Sequence, residues 1–174
     1  MPQGAIEIVG CVLFAYLMPL IPSSLLLGII STVIGLVAEC LLAFCSDGPG
    51  LAGLYLFLIG TVGFICVLST ISSNVAGHTK KVTTNALNLI AYCVGNLIGP
   101  QTFVESQAPS YAGAKIAIVV TGSISLGALI AIYISYLWEN KKRDSMPPVD
   151  MSHIENFEFA DLTDKENPAF RYAL

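Results

Sequence analysis

The chain has 174 residues, of which 55% are hydrophobic and 11% charged, and its mean hydropathy is +0.74. Soluble domains carry roughly 25% charged residues, so this composition excludes an ordinary soluble globule and points to lipid as solvent. The net charge of −4 comes with no basic patch interleaved with aromatic residues, so nucleic acid is not an expected partner.

A spanning helix needs about 20 apolar residues. In chain order, a short first run covers residues 4–20 and carries Glu7 near its start. Longer runs follow at 23–45, 51–73, 83–104 and 114–138. Pro19 and Pro22 separate the first pair, and Ser46-Asp47-Gly48-Pro49-Gly50 is a turn cluster. His78–Lys81 and the Glu105–Tyr111 stretch with Pro109 separate the rest. Residues 1–138 hold only four acids (Glu7, Glu39, Asp47, Glu105) and three bases (Lys80, Lys81, Lys115), whereas 139–174 hold eight acids and five bases. The expected architecture is therefore all-α: a polytopic transmembrane bundle of five helices over 1–138, then a mostly disordered aqueous tail over 139–174 opening on a Met146-Pro147-Pro148 linker.

Lysine and arginine near helix ends set orientation. Lys80 and Lys81 mark one loop, and Lys141, Lys142 and Arg143 follow the last run. An even number of crossings between them places both clusters, and the tail, in the cytoplasm.

Polar residues inside the apolar runs are the candidates for function. At 100° per residue, Asn85, Asn88, Tyr92, Asn96 and Gly99 share an arc of about 80°, opposite Leu87, Ile90, Val94, Leu97 and Ile98. Polar groups are costly in lipid, so this stripe faces protein or a wet cavity. It either bonds neighbouring helices or presents amides to a solute. Gly28, Thr32, Gly35 and Glu39 share a face of the second run; Gly53, Gly60 and Gly63 mark the third; Ser123, Gly127, Ala131 and Ser135 recur every four residues in the last. Such small stripes let helix backbones approach closely. Glu7 and Glu39 are intramembrane carboxylates and thus candidates for carrying a coupled proton, unless each lies near enough to a helix end to reach water.

The five cysteines form no CxxC pair and no spacing with histidine that suggests a metal. No enzymatic signature is present. Neither catalysis, a metal nor a cofactor is expected.

Ser69–Lys81 (STISSNVAGHTKK), Asn85–Phe103 (NALNLIAYCVGNLIGPQTF) and Asp161–Tyr172 (DLTDKENPAFRY) resemble the tenth-helix end, eleventh helix and C-terminal tail of a fungal family. That family is the allantoate permease-like group of anion:cation symporters in the major facilitator superfamily. The resemblance implies a fold of twelve helices in two halves with substrate bound between them, of which this chain would be part of the C-terminal half. It implies proton-coupled uptake at the plasma membrane of small organic anions such as allantoate, ureidosuccinate, nicotinate or related vitamins and peptides. The partners implied are the lipid bilayer, the anion and proton, and the N-terminal half absent here. The residues implied to line the cavity are Ser72, Ser73 and Asn74, then Asn85, Asn88, Tyr92 and Asn96, although Ser72–Asn74 could instead cap their helix. Two departures stand out: Met18–Ser24 carries no basic residue, and helices one to seven are missing. The competing expectation is a truncated, non-transporting multipass protein that packs against other membrane helices.

Overall fold

The structure is a computed structural model and describes residues 2–17, 20–21, 23–45, 47–146 and 161–174. The breaks expected at Pro19 and Pro22, Ser46 of the expected turn cluster, and the Pro147-Pro148 linker lie outside the described residues, while 47–50 of that cluster are helical.

Among the described residues, six α-helices follow in order: α1 (Pro2–Leu17), α2 (Ser24–Phe44), α3 (Asp47–Leu56), α4 (Thr61–Asn74), α5 (His78–Gln101) and α6 (Ala112–Asp144). A 3₁₀ turn, Phe57–Gly60, joins α3 to α4, so that Gly48–Asn74 reads as one span. Ser23 starts α2 by accepting the Leu26 N–H on its Oγ at 3.0 Å, which satisfies an N–H that has no partner inside the helix.

Among the described residues, three segments are long and apolar enough to cross a membrane: Ser24–Phe44, Gly48–Asn74 and Ala112–Asp144. The first run yields only a shorter apolar helix, Gly4–Leu17. Helix α5 has the length but not the hydropathy, because three asparagines interrupt it. Of the five expected runs, the described residues thus give three apolar spans, the shorter first helix and the polar-striped α5.

Helix α2 is the centre, packing against α3 and α4 on one side and α6 on another. Its small face meets the small face of α3–α4. A Cβ on Gly28 would lie 2.9 Å from the Cys66 Cβ, and one on Gly63 would lie 2.7 Å from the Thr32 Oγ1. Gly35 and Gly60 meet backbone to backbone. Lipid offers no hydrophobic drive between helices, so close backbone approach and dispersion hold this seam. Phe14, Leu27, Val62 and Cys66 form the buried core beside it.

Among the described residues, the small stripe of α6 finds no such partner. Ser123, Gly127, Ala131 and Ser135 are exposed, and nothing lies within 4 Å of a Cβ placed on Gly127. Helix α6 instead turns Gly122 and Leu129 toward the bundle. Helix α5 buries no residue.

Part of the tail, 139–146 and 161–174, lies within the described residues. Residues 139–144 complete α6, and residues 161–174 lie against the ends of α4, α5 and α6. The basic clusters at 80–81 and 141–143 come to one end of the bundle, where Lys80 pairs with Asp164 and Arg143 bonds the Asp164 carbonyl.

Candidate functional site

Serine and threonine hydroxyls in the helices bond largely to their own backbones. Thr32 donates to the Gly28 carbonyl at 2.8 Å, Thr70 to Cys66 at 2.8 Å, and Ser123 to Val119 at 2.7 Å. These bonds let polar residues stay in an apolar setting without a partner helix. Carboxylates have no such recourse, because they carry no donor when ionised.

Glu39 is therefore the most informative polar residue of the spans. It lies on α2 facing α6, against Gly122, and its Oε2 is buried with no hydrogen-bond partner among the described residues. It lines a cavity of about 560 Å³ between α2, α4 and α6, together with Thr32, Thr61, Thr121, Ser125 and Phe64. Ligand pockets of small molecules commonly fall within about 300–1,000 Å³. A lone acid among hydroxyls and apolar walls can accept a proton or bond a donor, and nothing else in the wall is charged. Glu7 falls on α1, and its side chain lies outside the described residues.

The asparagine stripe is brought partly together. Asn85, Asn88 and Tyr92 line a second, smaller cavity of about 340 Å³ with Phe64, Leu68 and Leu89. The Tyr92 ring stacks on Phe64, with centroids 5.4 Å apart and planes at 28°. Phe64 thus borders both cavities. On the opposite side of α5, Leu87 and Leu97 are 61% and 68% exposed, the side that lipid or another helix would cover.

The other expected residues are placed elsewhere. Asn96 lies outside this cavity, and its Nδ2 donates to the Tyr92 carbonyl at 2.9 Å. Ser72 and Ser73 are exposed at the end of α4, with the Ser73 Oγ donating to the Ser69 carbonyl at 2.9 Å. Asn74 is buried, and its amide is engaged by the backbone of Ala173. The family resemblance grouped Asn74 with the cavity or with the cap of its helix, and no local signal exposes a partner 99 positions away. It also missed Thr121 and Gly122, whose pairing with Glu39 depends on how α2 and α6 face each other.

An all-α bundle with apolar spans and, among the described residues, the Glu39 carboxylate buried between them defines a polytopic integral membrane protein. Comparison with known proteins narrows the class. The chain is 45% identical to an allantoate permease of Saccharomyces cerevisiae, matching over its whole length but over 34% of that relative. An uncharacterized transporter of Schizosaccharomyces pombe is 40% identical over the whole chain and 35% of its own length. A major-facilitator-type transporter of Penicillium expansum is 37% identical over 70% of the chain and 25% of its own length. No protein-family model matches, and no solved structure matches significantly. The chain belongs to the fungal transporters of the major facilitator type, and it spans about a third of the length of these relatives.

Proposed function

We propose that the chain serves the proton-coupled uptake of small organic anions, allantoate foremost, as part of a longer transporter at the plasma membrane with its C-terminal tail in the cytoplasm. The observation that carries this reading is the Glu39 carboxylate, with one oxygen buried and unpartnered beside a hydroxyl-lined cavity. In this reading Glu39 takes up and releases the coupled proton, and Asn85, Asn88 and Tyr92 offer amide and hydroxyl contacts to the solute across Phe64. Allantoate is proposed because the relative named for it matches the chain from end to end. The remaining helices of a longer transporter would supply the facing wall and a cation for the anion, since no arginine or lysine lies in the cavities described above.

The test is uptake of labelled allantoate by yeast lacking its own permease. The cells express a chimera in which this chain replaces the matching third of the Saccharomyces permease. Accumulation against a gradient, abolished by a protonophore and by Glu39→Gln, is the expected result. A chimera that reaches the membrane but takes up no allantoate, beside an active parent permease, would falsify the reading and favour the non-transporting helix-packing protein. Uptake undiminished in Glu39→Gln would remove that residue from proton coupling.

A further inference from the structure

The end of the bundle where α4 finishes and α5 begins holds a second recognition site, separate from both cavities. Asn74 closes α4 and is 2% exposed. Its Nδ2 donates to the Ala173 carbonyl at 2.8 Å, and its Oδ1 accepts from the Ala173 N–H at 2.7 Å. Asn140 on α6 makes the same pair of bonds to the preceding residue, at 2.8 Å to the Tyr172 carbonyl and 2.9 Å from its N–H. In an extended chain, successive residues direct their backbone groups to opposite sides. The last residues are therefore gripped as a strand is gripped between two neighbours, with side-chain amides in place of backbones.

The rest of the segment is held as closely. Arg143, 8% exposed, donates to the carbonyls of Asp164 at 2.9 Å, Asn167 at 3.3 Å and Phe170 at 2.9 Å. Asp164, 4% exposed, accepts from Lys80 and from the Tyr172 hydroxyl. Asp161 accepts the His78 N–H at 2.7 Å. The Tyr172 ring stacks on Tyr136 with centroids 4.6 Å apart and planes at 7°. At Gly77, where φ is +87°, a Cβ would lie 3.0 Å from the Thr163 side chain. Backbone bonds give such a site affinity, and side-chain contacts fix its register.

We infer that the ends of α4, α5 and α6 form a binding site for a C-terminal peptide that turns within 163–170 and ends extended, filled by the chain's own residues 161–174, and that this strap sets the position of α5. Helix α5 needs such a support. It buries no residue, and among the described residues its packing runs mainly through α4. The strap bonds the first turn of α5 at His78 and Lys80 and the last turns of α6 at Asn140 and Arg143. It ties the asparagine-bearing helix to the longest helix of the bundle. The inference concerns helix positions and holds whatever solute, if any, the cavities take.

Two measurements on the full chain in lipid nanodiscs test it. Hydrogen exchange reads the Tyr172 and Ala173 amides. A nitroxide pair at Leu87→Cys on α5 and Ile134→Cys on α6, with the five native cysteines replaced by alanine, reads the helix separation. The tail variants Asp164→Ala and Ala173→Pro, the latter removing a backbone donor, leave the helices themselves untouched. The expected parent shows protected amides and one narrow distance. Exchange at Tyr172 in both variants, and at Ala173 in Asp164→Ala, rises about tenfold or more, the distance distribution broadens, and helix content is unchanged. Free exchange in the parent would remove the site. Unchanged protection in both variants would overturn the contacts assigned to it. A released tail with an unchanged distance would remove its role in positioning α5.

Discussion

Helices α2 and α5 solve the same problem in opposite ways. Helix α2 is fixed along its length by an absence of side chains: Gly28, Gly35 and Thr32 meet Cys66, Gly60 and Gly63 at separations that leave no room for a methyl group. Helix α5 offers the bundle no glycine seam. Nothing lies within 4 Å of a Cβ on Gly95 or Gly99, and the helix is held by the Phe64–Tyr92 ring pair and by the tail at its first turn. A seam of short contacts admits one arrangement. A helix held by one ring pair and one strap can be moved by changing either. The polar residues divide accordingly, with the lone carboxylate in the fixed part and the asparagines on the adjustable one.

Five substitutions probe this contrast. The largest effect is expected in the seam, where Gly63→Leu should cost about 3 kcal/mol, the upper range of overpacking, read as a loss of thermal stability in detergent. Next, Asn74→Ala should loosen the tail by about 2 kcal/mol, because it strands backbone groups that Asn74 had satisfied. Nitroxide mobility at Leu174→Cys reads this, and immobility equal to the parent would contradict it. Third, Asn88→Ala should lower uptake by the chimera about tenfold, a change of about 1.4 kcal/mol, with surface abundance unchanged. Asn96→Ala should do neither, since its amide is returned to its own helix. Smallest, Gly95→Ala should stabilise α5 by about 0.5 kcal/mol, by helix propensity alone.

The tail responds to pH through two groups. Burial would raise the Asp164 carboxyl, but hydrogen bonds from Lys80 and Tyr172 outweigh it and hold the carboxyl below the usual carboxylate range. Its contribution to docking is complete above about pH 4 and is lost as pH falls through the lowered value. Burial, with the hydrogen bond to Asp164, pushes the Tyr172 phenol up to about 12. Its contribution is complete below about pH 10 and is lost as pH rises through 12. The label at Leu174→Cys should therefore stay immobile between these limits and become mobile beyond either.

Much of this was legible in the sequence because hydrophobic run length and small-residue spacing are local. The runs at 23–45 and 51–73 foreshadow α2 and the α3–α4 span, and the glycines marked on each do meet across the seam. Hydropathy says less about which side of a helix finds a partner, because lipid is as apolar as a neighbouring helix. For that reason the Ser123–Ser135 stripe of α6 reads as a seam yet lies exposed. The site was half legible. The asparagine periodicity placed Asn85, Asn88 and Tyr92 on one face, and that face lines one cavity, but only the packing of α6 reveals that Glu39 faces Gly122. The tail was the least legible part, since polar composition describes its surface and not the amides of Asn74 and Asn140 that receive it.

Helix α6 has a dimension that bears on all of this. From Ile116 to Trp138 it runs 23 residues without a charge, about 35 Å at 1.5 Å per residue, against about 30 Å of hydrocarbon. Residues Glu139–Asp144 then extend roughly 9 Å further, and Asn140 and Arg143 stand on that extension. A bilayer a few Å thicker would draw this last stretch toward the headgroups and set lipid phosphate against backbone carbonyls as partners for Arg143. Membrane thickness is thereby a handle on the grip at the far end of the chain.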